Sequence, residues 1–282
     1  MYAGLAPAFE SRPELIQGVE CIEVEGREGL FLLPGHIGVS EYEVTLGIAQ
    51  ELSGSIQTLQ NLPGSIRFLL DQTADRVSAD FVMVDMSPGL GAMNQNLLAT
   101  SDFFIVPSSP DFFSVMAIDS LARVLPRWQE WARRASQLDL LRTAVYPFPE
   151  PHTKLLGTVV QKYRPRAGAP AQAFQQWIDI LAEKVEANLM PVLRNSDMTL
   201  PDELYASAGM GPDRCLAVIP DFNSLIAKSQ EYQTPVFALS PEQLGQAGVV
   251  LEASEGSRDQ FHDTFTALAK RLVTLTGNAS GN

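Results

Sequence analysis

One stretch limits what this chain can fold into more than any other: FVMVDMSPGLGAMNQNLLATSDFFIVPSSPDFF, from Phe81 to Phe113. Phe81, Val82, Met83 and Val84 form a continuous apolar run without alternation, the pattern of a strand covered on both faces by helices. Asp85 ends that run. A Ser-Pro-Gly loop and a short helix to about Thr100 follow, and Phe103 to Val106 then form a second such strand, stopped by Pro107. Two parallel strands joined by so short a crossover predict a compact βαβ unit. Open α/β sheets bind ligands at the carboxyl ends of their strands, so Asp85 is a candidate site residue; the same carboxylate also fits a cap on the helix that follows.

The rest of the chain repeats the alternation. Cys21 to Val24 and Leu30 to Leu33 read as a strand, a turn and a strand. Ser40 with Glu43 three residues on has the form of a capping box, and Val44, Ile48, Leu52 and Ile56 recur every fourth residue as the buried stripe of a helix. Asn61 to Gly64 break the pattern, and Ser65 opens a helix with Ile66, Leu69, Leu70, Thr73 and Val77 on one face. A long amphipathic helix is marked by Val115, Ile118, Leu121, Leu125 and Trp128, with Pro126 as a kink and Arg123, Arg127, Arg133 and Arg134 on its outer, solvated surface. Leu155 to Val160 is the next buried strand, and Phe174, Trp177, Ile178, Leu181, Val185 and Leu189 stripe the helix after it. Leu216 to Ile219 is the last strand and Phe261, Phe265, Leu268 and Leu272 mark a terminal helix. Strand followed by helix throughout predicts a doubly wound, mainly parallel α/β sheet with helices on both faces. The expected organisation is a single domain over 1–276, opening with an irregular segment over 1–29 and closing with a disordered tail over 277–282.

Composition excludes several classes of function. With 20 Lys plus Arg against 33 Asp plus Glu, the formal net charge of -13 argues against unaided binding to nucleic acid phosphate. The two cysteines stand in no CxxC pattern, which fits a reducing, cytoplasmic setting, and no window approaches a membrane-spanning length of apolar residues. His36, His152 and His262 are too scattered for a metal site, and no GxSxG elbow anchors a hydrolase triad. Gly89 and Gly91 begin a dinucleotide pattern that Asn94 breaks, so a reductase rests on those two glycines alone. No GxxxxGK[ST] pattern occurs in the sequence, nor any Gly-Lys pair to hold nucleotide phosphates.

The segment VDMSPGLGAMNQNLLATSDFFIVPSSPDFFSV resembles the switch II strand, loop and following helix of the ParA/MinD group of deviant Walker ATPases. GLFLLPGHIGVSEYE and IPDFNSLIAKSQEYQTPVFALSP are similar to two further elements of that group, in the same order, so the resemblance runs from about Leu30 to Leu272. It implies a P-loop switch fold, ATP and Mg2+ as cofactors, a nucleotide-driven homodimer and a partner protein of the partition type. The aspartate matching Asp85 would act in catalysis by holding magnesium through water, on a switch loop shaped by Pro88 and Gly89. Gln161, Lys162, Pro220 and Asp221, after the later strands, would lie near the adenine.

The departure is the family's first βαβ unit with its phosphate loop, which would precede Met1; a truncated product is the expectation, incomplete and inactive as an ATPase. The strand at Phe81 would then have an unpaired edge. Asp221 to Tyr232, where partition proteins carry basic residues for DNA, offers only Lys228, which argues against DNA binding. The alternative is a non-catalytic interaction protein that uses the same fold as a scaffold.

Overall fold

A computed structural model describes residues 1–52, 55–166 and 169–279. The chain is a mixed α/β protein whose contacts group it into two compact units, Met1–Asp102 with Arg127–Thr153, and Phe103–Pro126 with Lys154–Asn282. The sequence reading has one domain there.

The first unit is helical. It holds α1 (Tyr2–Phe9), the short antiparallel hairpin β1 (Ile22–Glu23) and β2 (Phe31–Leu32), α2 (Val39–Glu51), α3 (Leu62–Val77) and α4 (Ala92–Thr100). The hairpin is the strand, turn and strand read from Cys21 to Leu33. Leu5, Ile16, Leu46, Leu62, Ile66, Leu69 and Leu97 are buried together, and Tyr42 stacks between Tyr2 and Phe9 at centroid distances of 4.8 and 4.4 Å. Burial of each such side chain contributes about 1.5–3 kcal/mol.

Three expectations are corrected in this unit. No strand forms at Phe81–Val84: the residues pair with nothing, and Phe81, Val82 and Met83 are 64%, 51% and 83% exposed. The apolar run is there, but among the described residues no neighbouring strand or covering helix is. The helix at Ser40 forms but ends at Glu51, short of Leu52 and Ile56, and Val44 and Ile48 lie on its exposed side, while Tyr42, Leu46 and Ala49 make the buried face. The aromatic stack selects that face. Nor is there a capping box: Gly38 is the cap, the Ser40 hydroxyl donates to Ile37 O, and the Glu43 carboxylate lies against Gly91.

The second unit carries the sheet. Strands β3 (Phe103–Ser108), β4 (Lys154–Tyr163) and β7 (Cys215–Pro220) are parallel with β4 in the centre, in register Val106↔Thr158 and Val160↔Val218. β5 (Pro165–Arg166) and β6 (Ala169–Pro170) form a small antiparallel pair after β4. Helix α5 (Phe112–Gln137) begins in this unit with Pro126 inside it and supplies Arg127–Gln137 to the first, where the short α6 (Asp139–Arg142) follows. Then come α7 (Gln172–Lys184), a π-helical stretch Val185–Leu189, α8 (Met190–Asn195), α9 (Asp202–Ser207), α10 (Leu225–Tyr232), α11 (Pro241–Leu244) and α12 (Gly248–Ala279). Leu156, Val159, Leu216 and Ile219 pack with Tyr205, Leu225, Phe261 and Leu275 to form the core. α12 continues through 277–279, where a tail was expected, and 280–282 lie outside the described residues.

Candidate functional site

In the first unit the site residues read from the sequence are Asp85, Pro88 and Gly89. Val84 and Met86 are partly buried against the helical core, while Asp85 between them is exposed, so the chain keeps the two-residue period of a strand. Among the described residues the Asp85 carboxylate makes no hydrogen bond or ion pair, so it does not cap α4.

The loop after it is held by a residue that sequence reasoning passed over. The buried Asn94, in the first turn of α4, donates from Nδ2 to Ser87 O at 2.6 Å and to Gly89 O at 2.8 Å, and Ser87 Oγ donates to Asn94 Oδ1 at 3.4 Å. Pro88 and Gly89 are thus spanned by one amide that bonds on both sides of the proline. The sequence signal was an asparagine three residues beyond the last loop glycine, noted only for breaking a dinucleotide pattern.

The start of α4 faces Glu43. A Cβ built on Gly91 would lie 2.0 Å from the Glu43 carboxylate, so a larger residue there would require the end of that side chain to move. Gln50 Nε2 donates to Ala92 O at 3.0 Å, so α2 aligns one face along the first residues of α4. A helix N-terminus favours negative charge, and here a carboxylate of the chain provides it. The residues fit magnesium in part. Mg2+ is commonly held by one carboxylate plus substrate phosphates and water, which Asp85 supplies, but Ser87–Gly91 carries no lysine or arginine to receive the phosphates. No cluster of three His, Cys, Asp or Glu able to hold a metal occurs among the described residues.

In the second unit the structure brings Gln161, Lys162, Pro220 and Asp221 together at the carboxyl ends of β4 and β7. Gln161 pairs with Ile219 and Tyr163 with Pro220, so Lys162 is the extra residue of a bulge, with φ 66° and an exposed side chain. The Asp221 N–H donates to Tyr163 O at 2.8 Å, and its carboxylate accepts from the Asn223 N–H at 2.8 Å in a tight turn at φ 49°. The Asp221 carboxylate is engaged by its own loop, and among the described residues the Lys162 ammonium makes no hydrogen bond or ion pair. Burial pushes the Tyr163 phenol above its ordinary value. β3 ends beside β4, where Ser108 Oγ donates to Val159 O at 3.4 Å and the Asp111 carboxylate caps α5 through the Ser114 N–H at 2.8 Å.

Among the described residues no helix is long and apolar enough to cross a membrane. No solved structure matches the chain. A curated relative, the uncharacterized protein MJECL24 of Methanocaldococcus jannaschii, is 25% identical over 149 residues, 52% of this chain and 46% of that protein. The chain thus spans about half the length of the curated relative it matches. Residues 14–138 match the model of a family described as an AAA domain, one of the ParA/MinD-like P-loop ATPases, and the matched span holds Asp85, Pro88, Gly89 and Asn94 and stops before Gln161.

Proposed function

We propose that the chain is the switch portion of a ParA-like nucleotide-dependent protein of the kind that partitions DNA or positions protein complexes, with a doubly wound P-loop architecture in its assembled form. The observation that carries this reading is the Asp85–Gly91 loop clamped by Asn94 within the family-matched span. In this reading Asp85 orders water on magnesium, Lys162 and the backbone at Asp221 contact the base end of ATP, and nucleotide drives homodimerisation and engagement of a partition-type partner.

These 282 residues contain no phosphate loop, and stabilisation of the transferring phosphoryl depends on its lysine and backbone amides. The chain by itself is therefore expected to show no ATP turnover above background in a phosphate-release assay. Turnover by the purified chain that disappears in Asp85→Ala would overturn that expectation.

A second reading is favoured by the exposed apolar side chains at Phe81–Met83 and along α2. In it the chain is a non-catalytic interaction protein, indifferent to nucleotide. Light-scattering mass with and without ATP and magnesium separates the two, since the switch reading expects either a nucleotide response or poor solubility and the interaction protein is a stable species indifferent to ATP.

A further inference from the structure

Phe81 to Met86 carries the apolar run of a strand but forms none. Among the described residues no hydrogen bond reaches any backbone N–H or C=O of these six residues, although the side chains of Val84 and Met86 are anchored on the helical core. Phe81, Val82 and Met83 are 64%, 51% and 83% exposed. Unpaired donors and acceptors beside exposed apolar side chains are what a sheet edge offers to an added strand, whose main chain supplies the hydrogen bonds.

The charges flanking the run choose the occupant. Asp80 precedes it and Asp85 follows Val84. If two copies of the chain paired antiparallel with their apolar runs matched, Phe81 would face Val84 and Asp80 would face Asp85 at both ends. Parallel pairing in register would set each aspartate beside its own copy. Like charges directly across a ladder are destabilising, and each copy as a whole, these two aspartates included, carries a net charge of -13. A strand ending in lysine or arginine meets the same two carboxylates favourably.

We propose that Phe81–Met86 receives, by strand addition, an extended apolar segment of another polypeptide bracketed by basic residues. This edge does not depend on the nucleotide reading, because no ATP contact enters the argument.

The test titrates the full chain against a fluorescein-labelled peptide with an alternating valine and threonine core and two lysines at each end, followed by anisotropy. Saturable binding is expected. It weakens at least tenfold when alternate peptide amides are N-methylated, when the lysines are replaced by glutamates, and in the protein variant Val82→Pro. Val82 N–H has no partner in the free chain, so this variant should keep the parent circular dichroism and melting temperature. Should it not, Met83→Lys, at a side chain with almost no contacts to lose, is expected to weaken binding at least fivefold in a folded protein. Absence of saturable binding overturns the proposal, as does binding untouched by N-methylation, which would be charge attraction alone. A dimer in sedimentation that Val82→Pro abolishes would show the occupant to be a second copy and overturn the choice of a basic partner.

Discussion

Asn94 is the residue on which the Ser-Pro-Gly loop depends. Its amide satisfies two loop carbonyls from a position that is 5% exposed, and no other side chain reaches them among the described residues. Asn94→Ala removes both donors and leaves a small void under the loop, and a net hydrogen-bond contribution near 1 kcal/mol each puts the loss at about 1–2 kcal/mol. Urea unfolding should show that loss, and hydrogen exchange should speed up at the Gln95 N–H, which bonds to Gly91 O at 3.0 Å where the loop enters α4, while the centre of α3 stays protected. An unchanged exchange rate at Gln95 would mean that α4 holds its first turn without the loop. At this scale the sequence was legible in part. Asp85 and its loop could be read from the order strand, acid, Pro-Gly, helix. Asn94 and Glu43 could not, because their roles depend on Ser87 O, Gly89 O and Gly91 being brought to them by the packing of α2 on α4.

Among the elements, the strands that hold the sheet were legible, and two apolar patterns were misleading. β3, β4 and β7 stand where Phe103–Val106, Leu155–Val160 and Leu216–Ile219 placed them, because a buried strand flanked by prolines or polar clusters has few other readings. Phe81–Val84 has the same pattern, but a pattern states that side chains want cover without supplying the cover. In α2, Val44 and Ile48 compete with Tyr42, Leu46 and Ala49 for the core, and periodicity does not rank two apolar faces. The break read at Asn61–Gly64 is the start of α3, with Pro63 in the first turn, where its missing N–H costs nothing.

Gly64 is required in α3 for a reason outside the helix. A Cβ there would lie 2.2 Å from Tyr146 O and 2.5 Å from Pro147 O, and Tyr146 is itself fixed by its hydroxyl, which accepts from the Ile16 N–H at 2.8 Å. Gly64→Ala is therefore expected to destabilise by about 1–3 kcal/mol through overpacking against backbone that has little room to retreat. Gly256→Ala, inside α12 with open space around its Cβ, should have the opposite sign and stabilise by roughly 0.5–1 kcal/mol, the usual helix-interior preference for alanine. Urea midpoints of the two variants check both signs, and a stabilised Gly64→Ala would mean that the 146–147 segment moves freely.

Over the whole molecule, acid acts in two ways that separate on the pH axis. Several carboxylates are held below their ordinary range: Glu10 by a hydrogen bond from Tyr42 and then by Arg12, Asp119 by Asn188 and then Lys184, Asp202 first by Arg194, and Glu242 first by the Ser240 hydroxyl. A carboxylate whose folded pKa is depressed contributes stability that is present above its unfolded value, about 4, and is lost as pH falls through the folded value. That loss belongs below pH 4. The net charge of -13, by contrast, disappears near the isoelectric point of about 4.6, where the chain is still folded by this reasoning. With repulsion between copies removed, the exposed Phe81, Val82 and Met83 become free to associate, so turbidity should rise as pH approaches 4.6 while the circular dichroism remains native. Replacing Phe81 and Met83 together by serine leaves every charge in place and should lower that turbidity severalfold at the same pH. Equal precipitation of the parent and the double variant would show that the chains stick through a different surface.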